Sequence, residues 1–339
     1  MNRADLVKTL ELVKPALATN NEVPIFQHFI FNESTVSAYD DTIAIVGSTE
    51  CEESFGVHGN TLLGLLNSSK VEEIDFEFKD QEVVLKLGKS VSKLPTTPPE
   101  DFIFTEPTGK WIGKIPFTAS LVEALGLCLE TVSSDATQKA LHGITIQDDT
   151  MYSCNGDALT RVRLKSSIGK KQIFLPTEFC EAAIKLWSEL KITAGDLAFN
   201  EEWLFTNFED WSVYGRVLEI AEPIDFEALI TRTIKEKIAL QDLPEDFADA
   251  LSRARVLADA ESKQTNVTIA KGRLKLLTET HMGEVKEDLS LKGHPDVVTK
   301  INAGHLARAI KVCDKIAFHE NCTVLERTPN VFQLVSNMS

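Results

Sequence analysis

The 339-residue chain has no apolar run approaching the roughly 18 residues of a membrane-spanning helix, so none is expected to cross a bilayer. Its six cysteines (51, 128, 154, 180, 313 and 322) contain no C-x-x-C pair. They read as reduced thiols in a cytoplasm rather than as a disulfide framework or a zinc site. The seven histidines (28, 58, 142, 281, 294, 305 and 319) form no H-E-x-x-H pattern, and no G-x-S-x-G elbow or G-x-G-x-x-G turn occurs. Two metal ligands on one helical face, an exposed nucleophile and a pyrophosphate cradle are therefore not expected. "TGKWIGKI" (108–115) has lysines and glycines but lacks the Ser or Thr that would hold magnesium, and it reads as a linker. No metal, no cofactor and no catalysis is the resulting expectation. Positive charge is scarce too, with 35 Lys and Arg against 51 Asp and Glu, a net charge of −16. Such a chain does not coat nucleic acid over its whole surface, though a local basic face is compatible with it. The N-terminal "MNRADLVKTLELVK" reads as a charged amphipathic helix, not a signal peptide.

Apolar residues make up 43% of the sequence, enough to fill globular cores. The length suggests two or three of them. One pattern runs three times. "NRADLVKTLELVKPALA" opens it, with Leu6, Leu10, Val13 and Leu17 at helical spacing. Strands follow, then the short helix "HGNTLLGLLNSS", then strands ending at "KLPTTPPEDF". The second round opens on "PFTASLVEALGLCLETVS" and has "PTEFCEAAIKLWSELK" as its second helix. The third opens on "LPEDFADALSRARVLADA" and has "NAGHLARAIKVCDK". Each round is helix, strands, helix, strands, giving an α+β class and expected domains 1–107, 111–225 and 226–339. The stiff "PPEDF" and the similar "PIDF" sit at the ends of rounds one and two and read as domain exits. In "NAGHLARAIKVCDKI" the apolar stripe is Leu306, Ala309, Ile310 and Cys313, with Arg308, Lys311 and Lys315 on another face.

This arrangement resembles the bacterial-type DNA polymerase sliding clamp, the DNA polymerase III beta subunit, over nearly the whole chain. "EVPIFQHFIF", "SVSKLPTTPPEDF", "YSCNGDAL" and "IFLPTEFCEAAIKL" carry the likeness through their order and spacing. The resemblance implies a ring-forming homodimer of six similar domains around duplex DNA, contacted without sequence preference. Helices would line the hole, and the replicative polymerase and clamp loader would dock through a peptide cleft. It implies no cofactor, no membrane and a cytoplasmic location (the host's, for a phage-encoded version, which the divergent motifs fit).

Carried over by position, the cleft would comprise Leu141, Gly156, Leu159, Pro223, Leu229, Asn302, His305, Leu334, Val335 and Met338. The DNA-facing side chains would be Lys8, Lys139, Lys185, Arg253, Arg308, Lys311 and Lys315. Leu65, Leu66 and Phe102 of one subunit would meet Val256 and Leu257 of the other. Asp157-Ala158 stands where the family has His-Arg, and "VSNMS" where it has "MPMRL", so the preferred peptide is expected to differ. An α+β enzyme with an interdomain active site, and a peptide-binding scaffold that forms no ring, are the alternatives to the clamp reading.

Overall fold

Local sequence sets the first helix. The Asn2 side chain accepts hydrogen bonds from the amides of Ala4 and Asp5, capping α1 (Arg3–Val13) at the end where backbone donors lack partners. Leu6, Leu10, Val13 and Leu17 are all buried, as their spacing predicts. The structure, a computed structural model, describes residues 1–19, 23–79, 81–107, 109–169, 172–218, 220, 222–236, 238–258, 264–327 and 330–338.

The first round continues with strands His28–Asn32, Thr35–Tyr39, Ile43–Ser48 and Phe55–His58, then α2 (Gly59–Ser68), then strands Asp75–Lys79, Glu82–Leu87 and Ser90–Thr97. The second starts at α3 (Ala119–Leu129), with strands Gly143–Gln147, Thr150–Cys154, Ala158–Arg163 and Gln172–Pro176. It continues through α4 (Thr177–Glu189) to strands Gly195–Phe199, Trp203–Phe208 and Trp211–Arg216. A further helix, α5 (Phe226–Thr233), precedes the third round. That round runs α6 (Phe247–Leu257), then strands Gln264–Ala270, Arg273–Thr280, Gly283–Ser290 and Val297–Asn302, then α7 (Ala303–Ala309). Strands Lys315–Phe318, Cys322–Arg327 and Val331–Ser336 complete it. Helix, four strands, helix, three strands is thus repeated in full, and α5 alone among the described α-helices has no α-helical counterpart.

All the described strand pairs are antiparallel, and the four strands of each round lie in the order fourth, first, second, third. A segment before each opening helix pairs near the first of the final three strands: Asn2 with Glu73, Gly113–Phe117 with Gly195–Phe199, Gln241–Asp242 with Lys315–Phe318. The end of "TGKWIGKI" is therefore strand rather than linker. Ile115 and Phe117 alternate into the core there, which outweighs the glycines.

Contacts group the chain into two units, residues 1–122 with 175–218 and residues 123–174 with 219–339, so the second round contributes to both. Within the first unit, the third strand of round one joins the last strand of round two (Val46 opposite Ser212) in an 11-stranded sheet. Gly47 lies under the Trp211 ring, with which any Cβ at that position would collide. Within the second unit the same rule holds one round on. Ala158–Arg163 joins Val331–Ser336 (Leu159 opposite Leu334) in an eight-stranded sheet, and a four-stranded sheet carries Gly283–Ser290 at its edge.

One further sequence reading is corrected here. α7 stops at Ala309, where Lys311 and Val312 close i→i+3 bonds to Arg308 and Ala309. The ladder of Lys315–Phe318 with Cys322–Arg327 then takes the chain, so Arg308, Lys311 and Lys315 form no helical stripe. "PIDF" follows the last strand of round two, as "PPEDF" follows that of round one, and it opens a helix. Asp225 accepts from the amide of Ala228 and starts α5.

Candidate functional site

In the second unit, strands Thr150–Cys154, Ala158–Arg163, Val331–Ser336 and Cys322–Arg327 lie side by side. Side chains on one face alternate along each strand, so directly opposed residues share a face. Leu159 is opposite both Cys154 and Leu334; Arg161 is opposite Tyr152 and Phe332; Val324 is opposite Leu334. That face is an apolar floor of Tyr152, Cys154, Leu159, Cys322, Val324, Phe332 and Leu334. Phe226 and Ile230, one helical turn apart on α5, are buried on it, with Leu141, Ile224, Leu229 and Ile234 packed around its margin. The Phe226 ring is stacked on Tyr152, with centroids 5.0 Å apart and planes at 8°.

The floor carries one cation. The Arg161 guanidinium lies 4.5 Å from the centre of the Phe332 ring and donates to both oxygens of Glu227 at 3.1 and 3.3 Å. The Tyr152 hydroxyl donates to Glu227 at 2.9 Å. Burial first, and the adjacent carboxylate second, push the Tyr152 pKa up to about 12, so the phenol stays a donor at neutral pH. Nothing in this arrangement is a nucleophile paired with a base, and among the described residues no cluster of His, Cys, Asp and Glu could hold a metal.

The opposite face of the same sheet is sealed by a buried polar network. Thr131 Oγ lies 2.6 Å from Ser153 Oγ and 2.8 Å from Thr160 Oγ, and Gln333 donates to Thr160 at 3.2 Å. Next to it a cavity of about 10 Å³, bounded by Leu159, His305, Arg308 and Leu334 among others, has room for about one water.

Of the expected cleft residues, Leu141, Leu159, Leu229 and Leu334 come together at the α5-covered floor. Val335 is buried and lies, with His305, at the small cavity on the other side. The His305 ring is 3.6 Å from Asp157 and 2.6 Å from an Arg308 nitrogen. Asn302 caps α7 through the amides of Gly304 and His305. Met338 bridges to Lys300, and Gly156 and Pro223 are exposed. The last residue of the divergent tail, Ser339, lies outside the described residues. Sequence reasoning missed Tyr152, Arg161, Phe226 and Glu227. The available signal was Phe226 and Ile230 at i, i+4 behind a capping Asp225.

The expected DNA-facing cations divide. Lys8, Lys139 and Lys311 are exposed and enter no ion pair among the described residues. Lys185 donates to the Glu11 carbonyl at 2.6 Å, and Arg253 is held bidentately by Glu287 at 2.6 and 3.0 Å. Lys315 is half-buried at the start of a strand. Arg255, exposed on α6, was not anticipated.

Among the expected seam residues, Leu66 is fully buried in the first unit and so has no surface to offer. Phe102 is half-buried against the aromatic cluster around Phe104, 6.2 Å away, and Leu65 is half-buried on α2. Leu257 is half-buried, whereas Val256 is 77% exposed.

No family model matches the chain, and no curated protein matches its sequence. Solved structures do match. A beta sliding clamp from C. crescentus superposes with a TM-score of 0.87 at 18% identity, covering 100% of this chain and 98% of that one. A DNA polymerase III beta subunit from Eubacterium rectale gives 0.86 at 14% identity, with the same coverage of both chains. A sliding clamp from Bartonella birtlesii, bound to griselimycin, gives 0.85 at 18%, again over 100% and 98%. Identities this low establish architecture, and they do so from end to end: the chain has the fold of the DNA polymerase III beta-subunit sliding clamps.

Proposed function

We propose that the protein is a DNA polymerase processivity factor. Two copies join head to tail into a ring around duplex DNA, and a polymerase and a clamp loader are tethered through short peptides at the floor around Leu159 and Leu334. The observation that carries this reading is the strand-joining rule. The third strand of round one pairs with the last of round two, and the third of round two with the last of round three. Continued once more, the rule joins Gly283–Ser290 to the Ser90–Thr97 strand of a second copy. Both strands have the edge for it. Among the described residues Gly283–Ser290 pairs on one side only, and beyond its ladder with Glu82–Leu87, Ser90–Thr97 pairs only through Thr96 and Thr97. Unpaired N–H and C=O groups of this kind favour strand addition, and a contact between unlike edges closes a ring by rotation.

Charge supports the pairing. Lys93 lies on one strand with Lys89 in the turn before it, whereas Glu284, Glu287 and Asp288 outnumber Lys286 on the other, with Glu287 already held by Arg253 and Asp288 by Arg273. Exposed apolar side chains also flank these strands, Val91 on one and Val256 and Met282 near the other. The ring needs no chemistry of its own. It holds DNA by topology, with exposed cations such as Lys8, Lys139, Arg255 and Lys311 meeting phosphates that carry no sequence information. The outer acidity implied by a net charge of −16 disfavours other contacts with DNA. Native mass spectrometry tests the assembly: a species of twice the 37.6 kDa chain mass is expected, and a monomer at micromolar concentration would contradict the ring.

A further inference from the structure

A second concavity of the second unit lies away from the α5-covered floor and shares no residue with it. The stretch that follows α5, the start of the Val297–Asn302 strand and the turn 319–321 enclose a cavity of about 580 Å³. That is within the roughly 300–1,000 Å³ of small-molecule sites. Ile238, Ile269 and Val297 give it apolar walls. Around them stand the exposed side chains of Glu236, Asp296 and Glu320, against the single cation Lys235 among the described lining residues.

Two polar groups in this cavity lack the partners that buried polar groups ordinarily have. His319 is 8% exposed and lines the cavity, yet its ring makes no hydrogen bond among the described residues. The one side-chain atom among them that is both sealed from solvent and unpaired is Thr206 Oγ, so the imidazole opens onto accessible space. Its place is fixed by the backbone that carries it. Asn337 donates to the carbonyls of His319 and Glu320 at 2.7 and 3.2 Å, and the Thr299 hydroxyl donates to the Glu320 carbonyl at 2.9 Å. The second group is the backbone of Val298. The Lys300 carbonyl accepts from the Met338 amide, so it faces away from the Gln264–Ala270 strand. Val298, two residues earlier, faces the same way. Its N–H and C=O have no partner among the described residues, as at any open sheet edge.

Burial keeps the His319 pKa below the usual 6.5, so at neutral pH the ring offers a lone pair. Glu236 and Glu320 enter no ion pair among the described residues, whereas Asp296 already accepts from the Lys271 amide. Acceptors and negative charge therefore dominate a space with apolar walls. An anion is disfavoured there. A compact, strongly hydrated ammonium would leave the walls wet, whereas a guanidinium is planar, weakly hydrated and rich in donors. We infer that this cavity is a site for an alkylguanidinium cation, free or carried by an arginine side chain. The guanidinium donates to the His319 ring and the Val298 carbonyl, with Glu236 and Glu320 supplying the opposite charge, and the alkyl stem lies against Ile269 and Val297. The inference rests neither on ring closure nor on partners docking at the Leu159 floor.

The test titrates n-butylguanidinium chloride into the full chain and follows the imidazole carbon-bound proton signals of its seven histidines by NMR. The His319 signal is identified by its loss in His319→Gln. It should shift saturably while that of the exposed His281 stays in place. Butylurea, which has the same shape without the charge, should bind at least about tenfold more weakly. The double variant Glu236→Gln, Glu320→Gln should lose about tenfold in affinity for the guanidinium, and so should His319→Leu by calorimetry. A peptide arm, acetyl-Val-Arg-Val-amide, separates the two sources. Tighter binding of the peptide than of butylguanidinium assigns the cation to an extended chain laid along the Val298 edge, and weaker binding assigns it to a free small molecule; both bear out the site. Equal binding of butylurea and butylguanidinium overturns the inference, as does unchanged affinity in the double variant. Equal shifts at His281 and His319 do so too, since they would show only general attraction to a chain of net charge −16. If the His319 variants fail to fold, the double variant at two exposed carboxylates decides.

Discussion

His294 is buried between two backbone groups. Its Nε2 accepts from the Phe318 amide at 2.8 Å, so the ring proton sits on Nδ1 and faces the Pro295 carbonyl 2.7 Å away. Burial lowers its pKa from the usual 6.5, and the same cause lowers those of His319 and His28. The folded chain therefore binds fewer protons than the unfolded chain once the pH falls below about 6.5. Stability from these sites is complete above that value and is lost as the pH falls through it toward the depressed folded pKa, at up to about 1.4 kcal/mol per pH unit for each site. The urea midpoint should fall between pH 7.5 and pH 5.5, and less steeply in His294→Gln, whose amide has no proton to gain. An identical fall in both proteins would assign the pH dependence elsewhere. At this scale the sequence told little. His294 read as an ordinary position and Leu66 as a seam residue, and only the packing made one a pH-sensitive strut and the other core.

Among the elements, the strand edges carry the strongest expectation. If Ser90–Thr97 of one copy meets Gly283–Ser290 of another, charge reversal on one edge should repel and reversal on both should restore. Lys89→Glu with Lys93→Glu, and separately Glu284→Lys with Asp288→Lys, should each give folded monomers. Mixed, the two variants should form a heterodimer, because one seam is then doubly reversed and the other unaltered. Dimers of either variant alone, or no heterodimer on mixing, would place the contact elsewhere. Helices with a long apolar stripe, such as α1 and α4, were legible from their spacing. α5 was not, since two apolar anchors in eight residues barely register as a period. α7 was read too long because its helical spacing runs on past Ala309, where a strand ladder overrides it.

For the whole molecule, the repeat was visible in the sequence because it is carried by the order of local elements. The sheet junctions were not, because pairing Val46 with Ser212 or Leu159 with Leu334 joins residues far apart in the chain. The unlike edges, and hence the strand basis of the proposed ring, emerge only once those junctions are known. The same geometry sets the central claim apart from any ordinary DNA affinity, which would fall with salt on every substrate alike. The direct measurement is retention on a plasmid. Protein is assembled with nicked circular DNA by concentrating it from dilute monomer, then passed through gel filtration in salt that removes simple phosphate binding. The protein should travel with the circle and be released when one restriction cut makes the DNA linear. Equal retention on circular and linear DNA, or none on either, would contradict a clamp.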